Sequence, residues 1–320
     1  MFRRILVLLI TLSLVVFSGC ASKDSVTAPQ KLKPIKIGVL PIEDNLPFYV
    51  AEADKMFSKD GLDVTLVPFA SAQERDAALQ AGQIDGEVAD LIAVALLKKG
   101  GTDVKVASIG LGADPKEGRF AILSSPGSKI KTAADLKNAS VAISDNTIIE
   151  YVMDQLLKQA DVPIKDVKKI SVPKIPVRMQ MLSNGQIQAA VLPDPMATLA
   201  EKQGAYVVMD DTKQEINLTQ TVILFRQETI KNNKEAVRKV VNVYGKAGKA
   251  LTDDASKYRA LLIDKAKIPE PIKNTYKAPT FSPLELPKEE DVNRVMNWMV
   301  EKKLLDKAYS FKELVDNSLL

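Results

Sequence analysis

The sequence predicts an α/β protein built from two similar lobes. Three observations indicate this fold class. Short apolar segments alternate with helical patterns from residue 35 to about residue 225, which is typical of α/β organisation. Part of that region recurs at a constant offset of 103 residues. The chain has 320 residues, a length that indicates two domains or lobes.

The N-terminal residues have the pattern of a secretory signal. Two arginines precede the apolar stretch 5–17, and two small residues then lead to Cys20. The apolar stretch is too short to span a bilayer comfortably, and polar residues follow it. We therefore predict a lipoprotein signal peptide at residues 1–20. Residues 21–34, rich in Ser, Thr, Lys and Pro, are expected to form a flexible tether.

Cys20 is the only cysteine of the chain, so it has no partner for an intrachain disulfide. Residues 17–20, Phe-Ser-Gly-Cys, resemble the lipobox of bacterial lipoproteins, with Phe17 where Leu is usual. The resemblance implies that Cys20 is acylated and anchors the mature chain to the extracytoplasmic face of the cell membrane. A cysteine that merely follows the signal is the alternative.

Composition excludes several classes of function. The formal net charge of +4 falls to +2 without the two signal arginines, which argues against a nucleic-acid partner. The chain contains no histidine, so a zinc site that needs histidine, a Ser-His-Asp triad and a Cys-His pair are excluded. Catalysis would have to rest on carboxylates, lysines or tyrosines, and we predict no catalytic residues, no cofactor and no metal site.

Strand signals follow one another in order along the first two thirds of the chain. The predicted strands are 35–40, 64–69, 84–88, 104–111, 120–124, 141–143, 169–172, 188–192 and 206–209. Helical patterns between them favour mostly parallel strands. Beyond residue 225 the chain is expected to be mainly helical. The clearest helical segments there are 227–251, 256–266 and 289–303.

The 103-residue recurrence divides the chain into lobes. The matching segments are 37–40 with 140–143, 63–64 with 166–167, Arg75 with Arg178, and 82–84 with 185–187. We therefore predict that lobe I begins with residues 35–118, that residues 119–222 form lobe II, and that residues 223–320 return to lobe I. Ligands of open α/β sheets bind at the carboxyl ends of strands, so facing lobes predict a cleft there.

These segments resemble the substrate-binding lipoproteins of ABC importers. The likeness is to the NMT1-like branch, which includes receptors for nitrate, alkyl sulfonates, taurine and thiamine pyrimidine precursors. It is carried by residues 37–41 (IGVLP), 47–51 (PFYVA), 57–64 (FSKDGLDV), 78–86 (ALQAGQIDG), 134–137 (ADLK) and 193–195 (PDP). The resemblance implies a type II periplasmic-binding-protein fold, two hinge strands, closure around a small molecule, and an importer permease as partner.

Three pairs of loops at the predicted cleft supply the candidate ligand-binding residues. The candidates are Asp44, Asn45, Phe48, Ser71, Asp90, Arg119, Ser144, Asn146, Thr147 and Asp194. Most are of types that cap helices, and a capped helix start directs free N–H groups at the cleft. An acid after a buried strand is also favoured by the helix dipole, as for Asp90 and Asp194. Helix capping alone and solvated turns are the alternative explanations.

Aromatic and basic candidates have their own alternatives. Phe48 has the flat ring that stacks on a planar ligand, and packing in the core is its alternative role. Arg119 opens the predicted hinge strand and is expected to reach the cleft. For the equivalent residues Arg75 and Arg178, surface salt bridges are the favoured explanation.

Acidic residues outnumber arginines around the predicted cleft. The acids are Glu43, Asp44, Asp90, Asp145, Glu150 and Asp194. Recognition of nitrate or a sulfonate needs converging donors. The balance favours a neutral or cationic ligand with N–H groups, such as a heterocyclic precursor, with an oxyanion or sulfonate as the alternative. An enzyme of the same fold, in pyrimidine-precursor or menaquinone synthesis, and a sensor lipoprotein are the other hypotheses.

Overall fold

The computed structural model describes residues 32–216 and 218–320. The predicted signal peptide, Cys20 and most of the predicted tether lie outside the described residues. Within the described part of the chain, no helix has the length and apolar character needed to cross a membrane.

The first lobe begins with four strands and four helices. The strands are β1 (Ile35–Val39), β2 (Val64–Pro68), β3 (Gly86–Asp90) and β4 (Val104–Ile109). The helices are α1 (Leu46–Ala53), α2 (Met56–Lys59), α3 (Ala72–Gln80) and α4 (Leu91–Lys99). A short 3-10 turn at Glu43–Asn45 precedes α1.

The second lobe repeats this pattern. Its strands are β5 (Phe120–Ser124), β6 (Ser140–Ile143), β7 (Lys168–Ser171), β8 (Ala189–Pro193) and β9 (Tyr206–Asp210). Its helices are α5 (Ile148–Gln159), α6 (Ile175–Ser183) and α7 (Met196–Lys202). The remaining elements are β10 (Thr221–Arg226), α8 (Gln227–Asp253), α9 (Arg259–Lys265), α10 (Glu289–Glu301) and α11 (Phe311–Leu314).

The two sheets have the same topology. Their strand orders are β2-β1-β3-β10-β4 and β7-β6-β8-β5-β9. In both sheets the first three strands are parallel, and β3 and β8 keep the 103-residue offset. The predicted duplication is therefore a repeat of the sheet framework.

As the sequence predicts, most strands run in one direction, four of the five in each sheet; the exceptions are β5 and β10, which run antiparallel to both of their neighbours. Each of these strands enters its sheet from the other lobe. It therefore starts at the edge where the parallel strands end, and it has to run the opposite way. β10 is absent from the predicted strands because its short apolar segment leads directly into α8.

The C-terminal helices pack mainly on lobe I. The long helix α8 lies against α1, and α10 lies against α4. Side chains of α10 also contact α5 of lobe II. The C-terminal helices therefore contact both lobes, with α8 and α10 packed on helices of lobe I.

Candidate ligand-binding cleft

Two crossings, residues 110–119 and 211–220, join the lobes between β4 and β5 and between β9 and β10. They lie side by side, because the Gly110 N–H donates to the Thr221 carbonyl at 2.8 Å and the Thr221 N–H donates to the Leu111 carbonyl at 2.9 Å. These main-chain bonds give the lobes a common hinge.

Alternate residues around the second crossing line two different cavities between the lobes. Leu218 and Gln220 line one cavity, and Thr219 and Thr221 line the other. This alternation is that of an extended strand, whose successive side chains point to opposite faces. Each cavity has a volume of about 20 Å³, which is room for one water molecule. The lobes are therefore closed on each other.

The cavity beside Thr219 and Thr221, here called the acidic cavity, receives carboxylates from both lobes. Glu43 and Asp44 come from the turn after β1, and Asp194 follows β8. Burial raises the pKa of Glu43 well above its usual value, and the nearby carboxylates of Asp194 and Asp44 raise it further. Burial also raises the pKa of Asp44 to about 6 and that of Asp194 above its usual value.

Two tyrosines support this turn from the C-terminal part of the chain. The Tyr276 hydroxyl donates to Glu43 Oε1. The Tyr244 hydroxyl contacts the carbonyl oxygens of Asp44 at 2.6 Å and Gly110 at 3.0 Å. The turn is thereby attached both to α8 and to the hinge.

Arg119 is the basic side chain that lines the acidic cavity, and three carboxylates of lobe II surround it. Its Nε lies 2.8 Å from Asp210 Oδ2, and its Nη1 lies 2.6 Å from Glu201 Oε1 and 3.8 Å from Asp194 Oδ1. Despite the opposing effect of burial, these carboxylates raise the pKa of Arg119. Since its charge is already paired, Arg119 offers little to an anionic ligand.

The second cavity, here called the apolar cavity, lies where two helices from opposite lobes begin. It is lined by Asp90, Leu91, Ile92, Ile148, Tyr151, Leu218, Gln220, Asp291, Arg294 and Val295. Asp90 Oδ1 accepts from the Ile92 and Ala93 N–H groups, both at 2.9 Å, and so caps α4. Thr147 caps α5 through the Ile149 N–H at 3.2 Å.

The structure brings some of the predicted site residues together and separates others. Asp44, Arg119 and Asp194 meet at the acidic cavity, whereas Asp90 lines the apolar cavity. Ser144, Asn146 and Thr147 form the turn before α5. In that turn the Thr147 hydroxyl donates to the Ser144 carbonyl at 2.8 Å, and the Asn146 N–H donates to Glu150 Oε2 at 2.8 Å.

Three predicted residues have contacts within lobe I. Phe48 is fully buried in the core, with its ring 4.8 Å from that of Tyr244 and nearly perpendicular to it. Its alternative role, core packing, is the one that these contacts describe. Asn45 is also buried, and its Nδ2 donates to Asp44 Oδ1 at 2.5 Å. Ser71 caps α3, accepting from the Glu74 N–H at 3.3 Å.

The expectation of surface salt bridges for Arg75 and Arg178 is wrong, because both are buried. Arg75 lies 3.4 Å from Glu87 and donates to the Val88 carbonyl. Arg178 donates to the Val172 carbonyl at 2.7 Å, and burial lowers its pKa to about 9. Helical periodicity alone did not separate a buried arginine from a surface one.

Sequence reasoning missed the residues that the C-terminal helix adds to the cleft. Asp291, Arg294 and Val295 are spaced for one face of α10, and that face meets the apolar cavity. Their helical spacing indicates that they share one face of α10, but it does not indicate which lobe that face contacts. In the described ranges, no group of three or more His, Cys, Asp or Glu residues is placed to hold a metal ion.

Residues 28–263 match the model of the NMT1-like family. The chain belongs to the NMT1-like family. This match confirms the resemblance that the sequence motifs indicated. No curated protein sequence matches this NMT1-like chain.

Solved structures show which fold this NMT1-like protein has. The alkanesulfonate-binding protein SsuA from Xanthomonas axonopodis pv. citri, bound to MOPS, is similar with a TM-score of 0.77 and 18% identity, covering 88% of this chain and 98% of that one. The aliphatic sulphonate-binding SsuA from Escherichia coli has a TM-score of 0.74 and 20% identity, covering 90% and 98%. The nitrate-binding protein NrtA from Synechocystis PCC 6803 has a TM-score of 0.69 and 14% identity, covering 90% and 87%. The predicted two-lobed periplasmic-binding-protein fold is confirmed.

Proposed function

We propose that this protein is an extracytoplasmic solute-binding protein, anchored through a lipid on Cys20, that delivers a small molecule to the permease of an ABC importer. The proposal rests on the NMT1-like family and the two-lobed fold. Its ligand is neutral or cationic and carries N–H groups, as a heterocyclic precursor does.

The main support for this ligand class is the arrangement of carboxylates at the acidic cavity. Glu43 and Asp194 approach the acidic cavity from opposite lobes, and the Asp194 carboxylate adds to the effect of burial in raising the pKa of Glu43. A ligand that brings N–H donors or a positive charge between them relieves this repulsion and joins the two lobes. Ligand binding and closure are then favoured by the same contacts.

A sulfonate or oxyanion is the second candidate. It is supported by the structural similarity to receptors whose own ligands are an alkanesulfonate and nitrate. The paired state of Arg119 argues against it, because an anion would have to displace carboxylates from that guanidinium. The hypothesis of an enzyme with the same fold predicts that the bound molecule is converted into product. A receptor or a sensor releases the molecule unchanged.

A thermal-shift screen of residues 21–320 tests the proposal. Residues 32–320 form one compact unit, so the chain without its signal peptide is a suitable sample. The screen compares heterocyclic amines, neutral heterocycles, alkyl sulfonates and nitrate. A ligand at 100 times its Kd adds about 2.7 kcal/mol to the free energy of unfolding. Stabilisation by sulfonates or nitrate alone would contradict the proposed ligand class, and conversion of a hit into product would contradict the receptor.

A further inference from the structure

The C-terminal helix α10 makes a third connection between the lobes. Its packing against α4 attaches it to lobe I. From there, the Trp298 Nε1–H donates to Asp154 Oδ2 on α5 at 3.1 Å. The Trp298 ring also meets Tyr151 edge to face, with ring centroids 5.4 Å apart. Just after α10, the Lys302 ammonium donates to Glu150.

The polar contacts with α5 form a charge network in which the carboxylates are buried and the lysines are partly exposed. Lys169 Nζ lies 2.6 Å from both Glu150 Oε1 and Asp154 Oδ1. The Asp154 side chain is 0% exposed, and burial raises its pKa despite the opposing effect of Lys169. Burial opposes ionisation of Glu150 too, but Lys169 and Lys302 hold its pKa below the usual value. Buried ionic contacts are costly to leave half-made, so separating α10 from α5 carries a free-energy cost.

We propose that α10 is a latch that holds the two lobes closed in the ligand-free protein, with Trp298 as its positioning residue. The inference rests on the two-lobed receptor proposed above, and it concerns how the same cleft is regulated. Opening about the crossings moves α5 away from α4. Because α10 is packed on α4, this movement breaks the contacts of Trp298 and Lys302 with α5. The latch therefore shifts the equilibrium between open and closed forms independently of ligand.

The test measures the distance between the lobes in ligand-free protein. Residues 21–320 contain no cysteine, so spin labels go on Lys59→Cys in lobe I and Lys158→Cys in lobe II, both at exposed positions. Double electron–electron resonance then gives the closed and open populations. Trp298→Phe keeps an aromatic ring beside Tyr151 but removes the N–H donor. Trp298→Ala removes the ring as well.

We expect the closed-to-open ratio to fall about tenfold in Trp298→Phe, which corresponds to about 1.4 kcal/mol, and to fall further in Trp298→Ala. The matched control is Tyr258→Phe, which removes a hydrogen bond of 2.7 Å from an aromatic side chain to Asp54 within lobe I. That variant is expected to keep the wild-type distances, whatever its melting temperature.

Wild-type distances in Trp298→Ala, or an entirely open ligand-free wild type, would overturn the latch. Either result leaves the receptor function intact if the thermal-shift screen finds a ligand. A screen with no hit, combined with loss of closure in the Trp298 variants, would instead leave the latch standing and remove support for the proposed ligand.

Discussion

Replacing Asp44 by Asn removes one carboxyl group from the acidic cavity with little change in shape. Asp44 is 4% exposed, and burial raises its pKa to about 6 even though Arg75 and Thr221 favour the charged form. In an unfolded chain the same group has a pKa of about 3.9. The native protein therefore keeps a proton on Asp44 at pH values where the unfolded chain has lost it.

The sign and size of the effect follow from this difference. A raised carboxyl pKa stabilises the native state fully below about pH 4, and the contribution is lost as pH rises through about 6. The difference of about two units between the native and unfolded pKa of Asp44 corresponds to about 3 kcal/mol in the free energy of unfolding. We expect the free energy of unfolding of the wild type, relative to Asp44→Asn, to fall by about this amount between pH 4 and pH 8. Asp194 and Asp211 change stability in the same direction in both proteins, so they cancel in the comparison. Glu43 does not cancel fully, because the Asp44 carboxylate helps to raise its pKa, and the loss of that interaction acts in the same direction as the expected difference.

Urea denaturation of residues 21–320 at several pH values measures this difference. Asp254→Asn is the control, because hydrogen bonds from Ser256 and Lys257 lower the pKa of that exposed carboxylate. The Asp254 carboxylate therefore contributes to the free energy of unfolding at neutral pH, and this contribution is lost in acid, which is the opposite of the effect of Asp44. Parallel stability curves for wild type and Asp44→Asn between pH 4 and pH 8 would refute the argument that Asp44 is buried and protonated.

Three further predictions concern the ligand, the core and the anchor. Glu43→Gln should weaken binding of a cationic ligand at least about tenfold, or about 1.4 kcal/mol, when measured by calorimetry at pH 7.5; equal affinity would place the ligand away from the acidic cavity. Phe48→Ala should lower the free energy of unfolding by about 3–5 kcal/mol because it leaves a cavity in the core, and the order of ligand preference should stay the same; a changed order would indicate that Phe48 contacts the ligand. Cys20→Ser should move the protein from the membrane fraction to the soluble fraction with unchanged ligand affinity; continued membrane association would contradict the lipid anchor.

Local sequence patterns predicted the framework of the fold. Strands such as β1, β5 and β9 lie within a residue of the predicted segments, because each is a short apolar run bounded by turns. The same periodicity located α8 and α10. β10 was missed because its short apolar run continues directly into α8 without the turn that bounds the other strands.

The residues of the candidate site could be predicted from the sequence only in part. Loops after equivalent strands pointed to Asp44 and Asp194, since duplicated strands end at the same edge of their sheets. Gln220 and Arg294 were not predicted, because they reach the cleft through the second crossing and through α10, which are distant in sequence. Phe48 shows the opposite case, in which a residue next to the site points into the core.

The two-lobed α/β organisation, the family and the acidic character of the loops that face the cleft can all be inferred from the amino-acid sequence, because periodicity, duplication and charge are local properties of the chain. The pairing of the charged side chains, in contrast, depends on the folded arrangement of the two lobes. Arg119 is neutralised by carboxylates some 75 to 91 positions away, and Trp298 meets Asp154 across 144 positions. Contacts at such separations depend on how the lobes close, and no local pattern encodes that.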